Sequence, residues 1–425
     1  MKISILKALA LSYCLLSEVA IAQSNDPMCT RLVVRKEIRD LNRDEWNMIR
    51  SVLQKLQEDG NWAKVARIHT ENFAVGHNFA ILMPFHREIV RQFEIAGQKY
   101  DPNFFVPYWD AARDFQNPAG SAVFTPDFIG GNGDPNRDSC ISTGFQRDWV
   151  LQFTQPHCLR RAFNGPNNTI KPWYSPEYMS SIIQTSSSYD KFREAVELTI
   201  HGAVHLGIGA EMTTMQSPND FAFYLHHSNL DRMWWKWQNA RPENLMAYDG
   251  QKPTGGPVSL NDPNPGYPST IVDVMKLGYR QMCYTYDDVV PLDFLVNQNP
   301  VFSGSGSGQR VNGGALMKAG KLPNFRSSVV TNQLRSLKNN TIERFFPALR
   351  NGDTNPNLFD LNFSKNEKKQ KLRKRQGGPM AVPEMPPDEW IEMHKYDKNR
   401  VRSAVTRAAE FVNQLNAQGY NSPYV

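Results

Sequence analysis

The sequence predicts a mainly α fold: a four-helix bundle wrapped in long loops and followed by a C-terminal extension. Three observations support this prediction. Apolar residues recur at helical spacing in several separate segments. Stretches rich in Pro, Gly and Asn, above all 100–169 and 250–270, predict long loops between these segments. Residues typical of strands are scarce before Tyr284 and Tyr286.

The first helix has a recognisable start signal. Asn42 is followed three residues later by Glu45, a pattern that resembles a capping box, and the apolar face continues through Leu53 and Leu56. In such a box the two side chains satisfy backbone N–H groups that the first helical turn leaves without partners. A helix is therefore predicted from Asn42 onwards.

Four further predicted helices carry most of the histidines. They span 62–76, Pro84 (in the first turn) to Glu94, 189–205 and 219–238. Six of the nine histidines form two groups of three: His69, His77 and His86, then His201, His205 and His227. Three neutral imidazoles offer nitrogen ligands and leave coordination positions open, which suits copper, zinc or iron better than magnesium or calcium. Two such groups predict a paired metal centre between facing helices.

The second group has the more regular spacing. His201 and His205 are four residues apart, so they share one helix face and both reach a single ion. Glu197 lies one turn earlier on that face and directs a carboxylate at the same site. A single pair of histidines at this spacing is weak evidence for a metal site, and the neighbouring motifs strengthen that evidence.

The third ligand of this group is either His226 or His227, because both lie near the apolar face of the helix 219–238. The alternative role for each is that of a hydrogen-bonded core histidine. Asp231, four residues after His227, is expected to accept a hydrogen bond from that imidazole and to orient it.

The first group needs a break in its helix. His77 and His86 are nine residues apart and do not share a helix face, so a loop must bring them together. We expect this loop at Leu82-Met83-Pro84. Spacing alone therefore makes the first group moderate support for a metal site.

The N-terminus predicts export. Residues 1–22 combine Lys2 and Lys7 with an apolar stretch and a small-residue cleavage site before Gln23, as in a secretory signal peptide. A buried N-terminal helix is the alternative. No later apolar run is long enough to span a bilayer. Three N-glycosylation sequons suit the same route, at Asn167, Asn339 and Asn362.

The mature chain would keep four cysteines, which allow two disulfides in three connectivities. In one of these, Cys140–Cys158 fastens the long loop, and Cys29–Cys283 ties the N-terminus to the end of the core. Such bonds are expected in an oxidising compartment.

Residues 23–290 are expected to form the core and 291–425 an extension. The extension contains the linker SGSGSGQRVNGG at 303–314, a basic run at 365–375 and a terminal helix at 397–415. The basic run accounts for the formal net charge of +6 and lacks aromatic residues, which argues against nucleic acid as a partner. It ends in Lys374-Arg375, which is either a processing site for a protease or part of a solvated linker.

Several motifs together resemble the type 3 copper proteins. They are GHNFAILMPFHREIVRQFE, VPYWD, HGAVHLGIGAEM and SPNDFAFYLHHSNLDRMWWKWQ, and they are most similar to short fungal polyphenol oxidases of the tyrosinase and catechol oxidase group. The similarity runs from Cys29 to Tyr284-Thr285-Tyr286 and resumes weakly at DEWIEMHKYDKNRVR and LNAQGYNSPY.

The resemblance implies two copper ions, Cu A and Cu B. His69, His77 and His86 would bind the first copper, with Arg87 and Glu94 completing the motif, and His201, His205 and His227 would bind the second. The family signature of a histidine and an aspartate four residues later selects His227 with Asp231 over His226. Glu197 resembles the glutamate that holds a water near the second copper and would act as a base, with Glu194 as a reserve candidate.

The chain departs from the family pattern at four places. Asp220-Phe221 replaces the usual Asp-Pro, Leu82 replaces a phenylalanine, and Val75 stands where some relatives have a cysteine crosslinked to histidine. Gly202 follows His201 where efficient tyrosinases often carry asparagine. Glycine cannot help Glu197 to deprotonate a monophenol, so Gly202 favours diphenol oxidation.

The resemblance therefore implies a secreted dicopper polyphenol oxidase that uses O2 to oxidise o-diphenols to o-quinones, with weak monophenol hydroxylation at most. Its partners would be O2, small phenols and a protease at Arg375, with neither a nucleic acid nor a membrane. Thr214 and Met215 are candidates to shape access to the site. The alternatives are a latent tyrosinase with full monophenolase activity and a haemocyanin-like dioxygen carrier. A dinuclear zinc hydrolase is disfavoured because no bridging carboxylate is evident, and a structural protein with packed histidines is weaker still.

Overall fold

The computed structural model describes residues 27–292, 329–361 and 378–425. Several sequence-based predictions lie outside the described residues. These are the signal peptide at 1–22, the linker at 303–314, the basic run at 365–375 and the sequon at Asn362.

Three long helices open the fold, as the sequence predicts: α1 (Arg43–Glu58), α2 (Asn61–Gly76) and α3 (Leu82–Gln98). The capping box of α1 is confirmed. Asn42 Oδ1 accepts a hydrogen bond from the Glu45 N–H at 2.9 Å, and the Glu45 carboxylate accepts one from the Asn42 N–H at 3.0 Å. Helix α2 packs against both α1 and α3.

The second half of the bundle differs from the prediction in two ways. Helix α4 (Pro176–Thr185) was not predicted, although Ser175 as N-cap and a proline in the first turn are typical start signals. The predicted helix 189–205 consists of α5 (Tyr189–Ala195), a π-helical turn (Val196–His201) and α6 (Gly202–Ile208). The π turn is tied to local backbone bonding that the apolar pattern does not report.

Helix α7 (Phe221–Gln238) lies in the centre of the bundle, and every one of its 18 residues is buried. Aromatic rings fill the space between α7 and its neighbours. The ring of Trp62 on α2 meets those of Phe93 on α3 and Tyr224 on α7 edge to face, with centroid distances of 5.0 and 5.4 Å. The bundle of α2, α3, the α5–α6 segment and α7 is thus a rigid frame for side chains between its helices.

The strands are short. Strand β1 (Val33–Arg35) pairs in parallel with β6 (Tyr284–Tyr286), so the two ends of the core meet. The long loop contains two small antiparallel strand pairs, which are β2 (Gly133–Asp134) with β3 (Cys140–Ile141) and β4 (Val150–Leu151) with β5 (His157–Cys158). Helix α8 (Ile271–Met275) lies near the end of the core.

Both disulfides of the connectivity considered above are formed. Cys29–Cys283 joins the segments that precede β1 and β6, and Cys140–Cys158 joins β3 to β5 in the long loop. The other two connectivities are thereby excluded. Covalent bonds therefore fasten the N-terminal segment to the end of the core and secure the long loop.

The extension packs onto the bundle. In the parts of the extension that the structure describes, the helices are α9 (Val329–Leu334), α10 (Asn339–Phe345), α11 (Pro347–Asn351), α12 (Asp388–Met393) and α13 (Lys398–Ala417). The predicted terminal helix is confirmed as α13, with Asp397 as its N-cap. Phe411 of α13 contacts Phe345 and Phe346, and all three belong to the main hydrophobic core.

A buried ionic cluster fastens the segment 329–361 to α7. Arg232 and Lys236 on α7 both pair with Asp360 of the extension, with 3.0 Å between Lys236 Nζ and the carboxylate. Asp288 pairs with the same two cations at 2.6 and 2.9 Å. Charges buried to this degree persist because they are matched. Among the helices that the structure describes, none has both the length and the apolar character needed to cross a bilayer.

Candidate metal centre

The structure brings each group of three histidines together. In the first group, His69 lies on α2, His77 follows its last residue, and His86 lies on α3. In the second, His201 ends the π turn, His205 lies on α6 and His227 on α7. Within each group, one ring nitrogen of every histidine lies within 4.8 Å of those of the other two. These are the two sets that the sequence predicts, and each fits one metal ion.

The two groups face one another across the bundle. The rings of His86 and His227 are stacked with 4.0 Å between their centroids, and those of His77 and His201 are 5.8 Å apart. Two ions held by these groups would therefore be near neighbours, as a paired centre requires.

Backbone carbonyls orient most of these imidazoles. In four of the six, Nδ1–H donates to a carbonyl oxygen, which fixes the tautomer and leaves Nε2 as the nitrogen with a lone pair. The four pairs are His69 with Met215 at 2.7 Å, His77 with Phe73 at 2.9 Å, His86 with Leu82 at 2.8 Å and His205 with Met212 at 2.6 Å. Met212 and Met215 were not predicted in this role, because a carbonyl acceptor leaves no mark on side-chain identity.

The environment keeps these histidines neutral. Burial, partly offset by the carbonyl hydrogen bond, lowers the pKa of His69 to about 4 and that of His205 to about 4. Burial and neighbouring histidines also lower the pKa values of the other four. Nε2 of His69, Nε2 of His86 and both ring nitrogens of His201 are buried without a hydrogen-bond partner. Neutral nitrogens with unused lone pairs are what a bound copper ion requires.

The neighbouring His226 lies beside this cluster, but one of its ring nitrogens is used in a backbone hydrogen bond. Its Nε2–H donates to the backbone carbonyl of His201 at 3.2 Å, whereas His227 Nε2 lies 3.3 Å from His205 Nε2. Both histidines are buried, but only His227 shares a possible ion with His201 and His205. The geometry thus agrees with the assignment of His227 that the resemblance implies.

The loop between His77 and His86 lies earlier than expected. Residues 77–81 form it, and Leu82-Met83-Pro84 already belongs to the first turn of α3. Asn78 adopts a left-handed backbone conformation with φ of 66°, which permits the sharp reversal after α2. The expectation of a loop at 82–84 was wrong because Pro84 fits the first helical turn, where its missing N–H is not needed.

Glu197 lies within the π turn that ends at His201 and is buried. Its carboxylate accepts hydrogen bonds from Arg193 Nη1 at 2.6 Å, the Asn78 N–H at 2.5 Å and the Tyr396 hydroxyl at 2.9 Å. A π turn has more residues than an α turn, which offsets Glu197 from the face shared by His201 and His205. Its role as a base stays a prediction.

Glu194, the reserve candidate, faces the extension. Its carboxylate accepts a hydrogen bond from Arg400 Nε at 2.8 Å. This pairing, together with nearby cations, lowers the pKa of Glu194 against the opposing effect of partial burial. Glu194 therefore serves as a contact between α5 and α13 in this structure.

Asp231 joins α7 to α3 and to the β1–β6 pair. One carboxylate oxygen accepts a hydrogen bond from Arg87 Nε. The other accepts from the hydroxyls of Tyr284 and Tyr286, both at 2.6 Å, and from Arg35 Nη1 at 3.3 Å. Because Arg87 follows His86 and Asp231 lies one turn after His227, this cluster fixes the spacing between two candidate ligands.

The expected hydrogen bond from His227 to Asp231 is absent from these contacts, so that expectation was wrong. The carboxylate meets buried guanidinium and phenol groups instead, which are stronger partners for a charge in this environment. Glu94, the last acidic residue of the first motif, completes the same network by accepting from Arg35 Nε at 2.9 Å.

We expect Asp231→Asn to lower the free energy of unfolding by about 3–5 kcal/mol, because it removes one partner of a buried ion pair. Urea unfolding followed by circular dichroism measures this change. Asp148→Asn is the matched control. Asp148 pairs with Arg147 at the surface with 82% of its side chain exposed, so its replacement should cost less than about 1 kcal/mol. Equal losses of unfolding free energy in the two variants would contradict the role of Asp231 in holding α7 against α3 and the β1–β6 pair.

Residues of the extension cover the histidine cluster. The ring of Trp390 on α12 lies 5.7 Å from that of His205, and the ring of His394 lies 5.3 Å from that of His77. A Cβ atom placed on Gly202 would lie 3.2 Å from Nε1 of Trp390. The sequence led us to consider an extension that covers the site, as in a latent enzyme or a dioxygen carrier. It did not identify the covering residues, although the tail motif DEWIEMHKYDKNRVR contains them.

The structure accommodates Phe221 at the position where the family usually has a proline after Asp220. Asp220 caps α7 by accepting a hydrogen bond from the Ala222 N–H at 2.9 Å. Its carboxylate also pairs with the buried Arg161, with contacts of 2.7 and 2.8 Å. Phenylalanine in place of proline therefore leaves the start of α7 intact and His227 in place.

Comparisons with known proteins cover this part of the chain. Residues 59–240, which include both histidine groups, match the family model described as the common central domain of tyrosinase. The tyrosinase ustQ of Aspergillus flavus is 30% identical over 250 residues, 53% of this chain and 69% of that protein. A tyrosinase of Streptomyces lincolnensis is 31% identical over 229 residues, 50% of this chain and 81% of that protein. A solved polyphenol oxidase of Thermothelomyces thermophila is 21% identical, with a TM-score of 0.47, over 61% of this chain and 90% of that one.

Proposed function

Because the chain belongs to the tyrosinase family of copper oxidoreductases, we propose that it is a dicopper polyphenol oxidase that oxidises o-diphenols to o-quinones with O2. The observation that carries this proposal is the pair of facing histidine groups with neutral, unpartnered ring nitrogens. His69, His77 and His86 would hold one copper, and His201, His205 and His227 the other. Copper bound at these histidines would supply the redox chemistry of the reaction, with O2 as the oxidant and the phenol as the reductant.

The protein supplies orientation and a dry site. The carbonyls of Met212 and Met215 keep two of the imidazoles aimed at the centre, and Arg87 with Asp231 holds α3 against α7. Phe223 lies between the groups, with its ring 4.3 Å from that of His227 and 5.2 Å from that of His69. These apolar surroundings exclude water from the space between the two histidine groups.

The preference for diphenols rests on Gly202. A catechol gives up its protons more readily than a monophenol, so it needs less help from a base. Glycine at this position supplies no side chain that could assist Glu197, whose carboxylate already accepts from Arg193, Asn78 and Tyr396.

We expect Gly202→Asn to raise the ratio of monophenol to catechol oxidation by about tenfold, a fraction of the roughly 10²–10⁴-fold that a positioned base contributes. Oxygen uptake with 4-methylcatechol and with p-cresol measures the ratio in copper-loaded protein freed of residues 378–425, because Trp390 occupies the space beside Gly202. Ala203→Asn, one residue further along α6, is the matched control. An unchanged ratio in Gly202→Asn would contradict this role of Gly202, whereas full p-cresol oxidation by the parent chain would favour a tyrosinase.

We further propose that the form described here is latent. Residues 23–290 would be the catalytic domain and 291–425 the extension that closes it. A cavity of about 270 Å³ lies between core and extension, and Trp390 and Tyr396 of the extension line it together with Glu197 and Gly202 of the core. A phenol would have to displace these rings to reach the coppers. Cleavage at the basic run ending at Arg375 is the proposed activating event.

Export is part of the same proposal. Two disulfides support an oxidising compartment, and the asparagines of two sequons, Asn167 and Asn339, lie exposed at the surface. Mass spectrometry of the protein secreted by its host would show a start at Gln23 and glycans at these positions. A haemocyanin-like dioxygen carrier is the second candidate, because the cover over the site also suits a protein that binds O2 without oxidising phenols.

A further inference from the structure

One short loop orients a histidine of each group. This loop, residues 209–215, follows α6. The carbonyl of Met212 accepts a hydrogen bond from Nδ1–H of His205 at 2.6 Å, and the carbonyl of Met215 accepts one from Nδ1–H of His69 at 2.7 Å. A contact that fixes the loop therefore fixes the aim of one imidazole in each metal group.

Glu211 anchors this loop through both its side chain and its backbone. Its carboxylate lies 2.5 Å from Nε2 of His157, in a different segment of the chain. Its backbone carbonyl accepts a hydrogen bond from the Thr214 N–H at 3.1 Å. The side chain thus holds the residue just before Met212, and the carbonyl closes the turn that leads to Met215.

His157 begins β5 in the long loop, and both of its ring nitrogens face oxygen atoms. Nδ1 lies 2.7 Å from the carbonyl oxygen of Gln155, and Nε2 faces the carboxylate of Glu211. Two oxygen acceptors require two N–H donors, which is the arrangement of a protonated imidazole. The next residue, Cys158, is bonded to Cys140, so a disulfide holds the strand that carries this histidine.

Burial distinguishes this ion pair from an exposed one in the same loop. The side chains of His157 and Glu211 are 14% and 8% exposed, whereas those of Arg160 and Asp138 are 37% and 74% exposed. Exposed pairs contribute little because solvent and salt screen them. A shielded, charge-assisted hydrogen bond is a stronger constraint on the loop that it joins.

We propose that His157 is a positioning residue for both metal groups, because through Glu211 it holds the loop whose carbonyls aim His69 and His205. This inference rests on the proposed dicopper function and adds to it a residue that the family motifs do not include. His157 belongs to neither histidine group. Loss of a residue that orients a ligand costs about 10–100-fold in metal affinity, and we expect about tenfold at both ions, because His157 acts through an intervening loop.

Nitrogen NMR of the full chain, labelled with isotope at its histidines, tests the orientation without copper. In the metal-free parent, His69 and His205 should each show a single tautomer with the hydrogen on Nδ1. In His157→Phe we expect a mixture of tautomers at both. His77 and His86 are internal references, because each donates to a carbonyl four residues earlier in the chain rather than to this loop. Their tautomers should stay fixed.

Copper retention of the loaded chain tests the consequence for the metal. A competing chelator should remove both copper ions from His157→Phe at about one tenth of the concentration that the parent requires. His157→Lys returns a charged donor to Glu211 and should recover most of the lost affinity, and His157→Ala replaces His157→Phe should phenylalanine not fit. Asp138→Asn, at the exposed pair, is the matched control and should retain copper like the parent.

Three outcomes separate the positioning role from the dicopper function. Unchanged tautomers and unchanged copper retention in His157→Phe would overturn the positioning role alone. Tautomer mixing at His77 and His86 to the same extent would also overturn it, because a general loosening of the bundle would then explain the effect. A parent with fixed tautomers that binds no copper would overturn the dicopper function, and with it any role of His157 toward the metal.

Discussion

We expect the replacement of His227 by glutamine to remove one of two copper ions and nearly all oxidase activity, whereas the same replacement of His226 should keep both. These adjacent residues form a sharp comparison, because both are buried on α7. His227 shares its group with His201 and His205, while His226 donates to a backbone carbonyl. Loss of a residue that merely orients a ligand costs about 10–100-fold in metal affinity or activity, so loss of a ligand should exceed 100-fold.

Copper content by atomic absorption and catechol oxidation by oxygen uptake measure these effects. His86→Gln should match His227→Gln, with the first copper lost instead of the second. Glutamine at 226 retains an N–H donor for the carbonyl of His201, so the helix keeps its contact there. Full copper and full activity in His227→Gln or in His86→Gln would contradict the ligand assignment and favour the view that these histidines only pack.

Release of residues 378–425 should raise catechol oxidation at least about tenfold. If the closed form is favoured by about 99 to 1, release increases the accessible fraction by nearly 100-fold. Cleavage within 362–377 alone should give only part of this gain, because the freed segment stays bound through its own contacts. Phe411 packs against Phe345 and Phe346, and the hydroxyls of Tyr420 and Ser422 donate to the buried Glu177 at 2.9 and 2.8 Å.

Dilution of the cleaved protein tests whether the freed segment stays bound to the core through non-covalent contacts alone. Activity per molecule should rise as the concentration falls below the dissociation constant of the freed segment. In Phe411→Ala the rise in activity should begin at a higher protein concentration. Truncation of a buried phenylalanine costs about 3–5 kcal/mol, so the freed segment binds the core more weakly. Arg402→Ala, at an exposed position of the same helix, is the control. A released core with two coppers that binds O2 but oxidises no phenol would favour the dioxygen carrier.

The segment 329–361 should remain with the core after such cleavage. Asp360 is buried with Arg232 and Lys236, and its removal would leave two cations of α7 with fewer partners. The extension therefore has a permanent part and a removable part. Mass spectrometry of the activated protein should find 329–361 still attached.

Sequence reasoning succeeded where a residue acts through its own side chain at a regular spacing. The capping box at Asn42 and Glu45, the pair His201 and His205 and the helix that carries His227 all follow from local periodicity and side-chain chemistry. The family motif then chose between His226 and His227, a choice that spacing alone left open.

The missed features depend on backbone geometry or on distant partners. The π turn before His201 and the carbonyls of Met212 and Met215 are set by chain conformation, which side-chain patterns report poorly. The partners of Asp231 lie far along the chain, at Arg35 and Tyr284 among others, so spacing pointed to the nearer His227 instead. The cover formed by α12 likewise depends on contacts between residues far apart in the sequence.

Because β1 pairs with β6, the first strand is synthesised long before its partner strand is available. Arg35 leaves the ribosome early, but two of its partners, Asp231 and Tyr286, follow about two hundred residues or more later. Until the second strand arrives, the arginine and the aspartate of this network lack their full set of hydrogen bonds, and the helices that carry the histidines lack their clamp. The nascent chain therefore needs protection from premature aggregation over most of its length, and native structure around the metal site is expected to form in a late, long-range step.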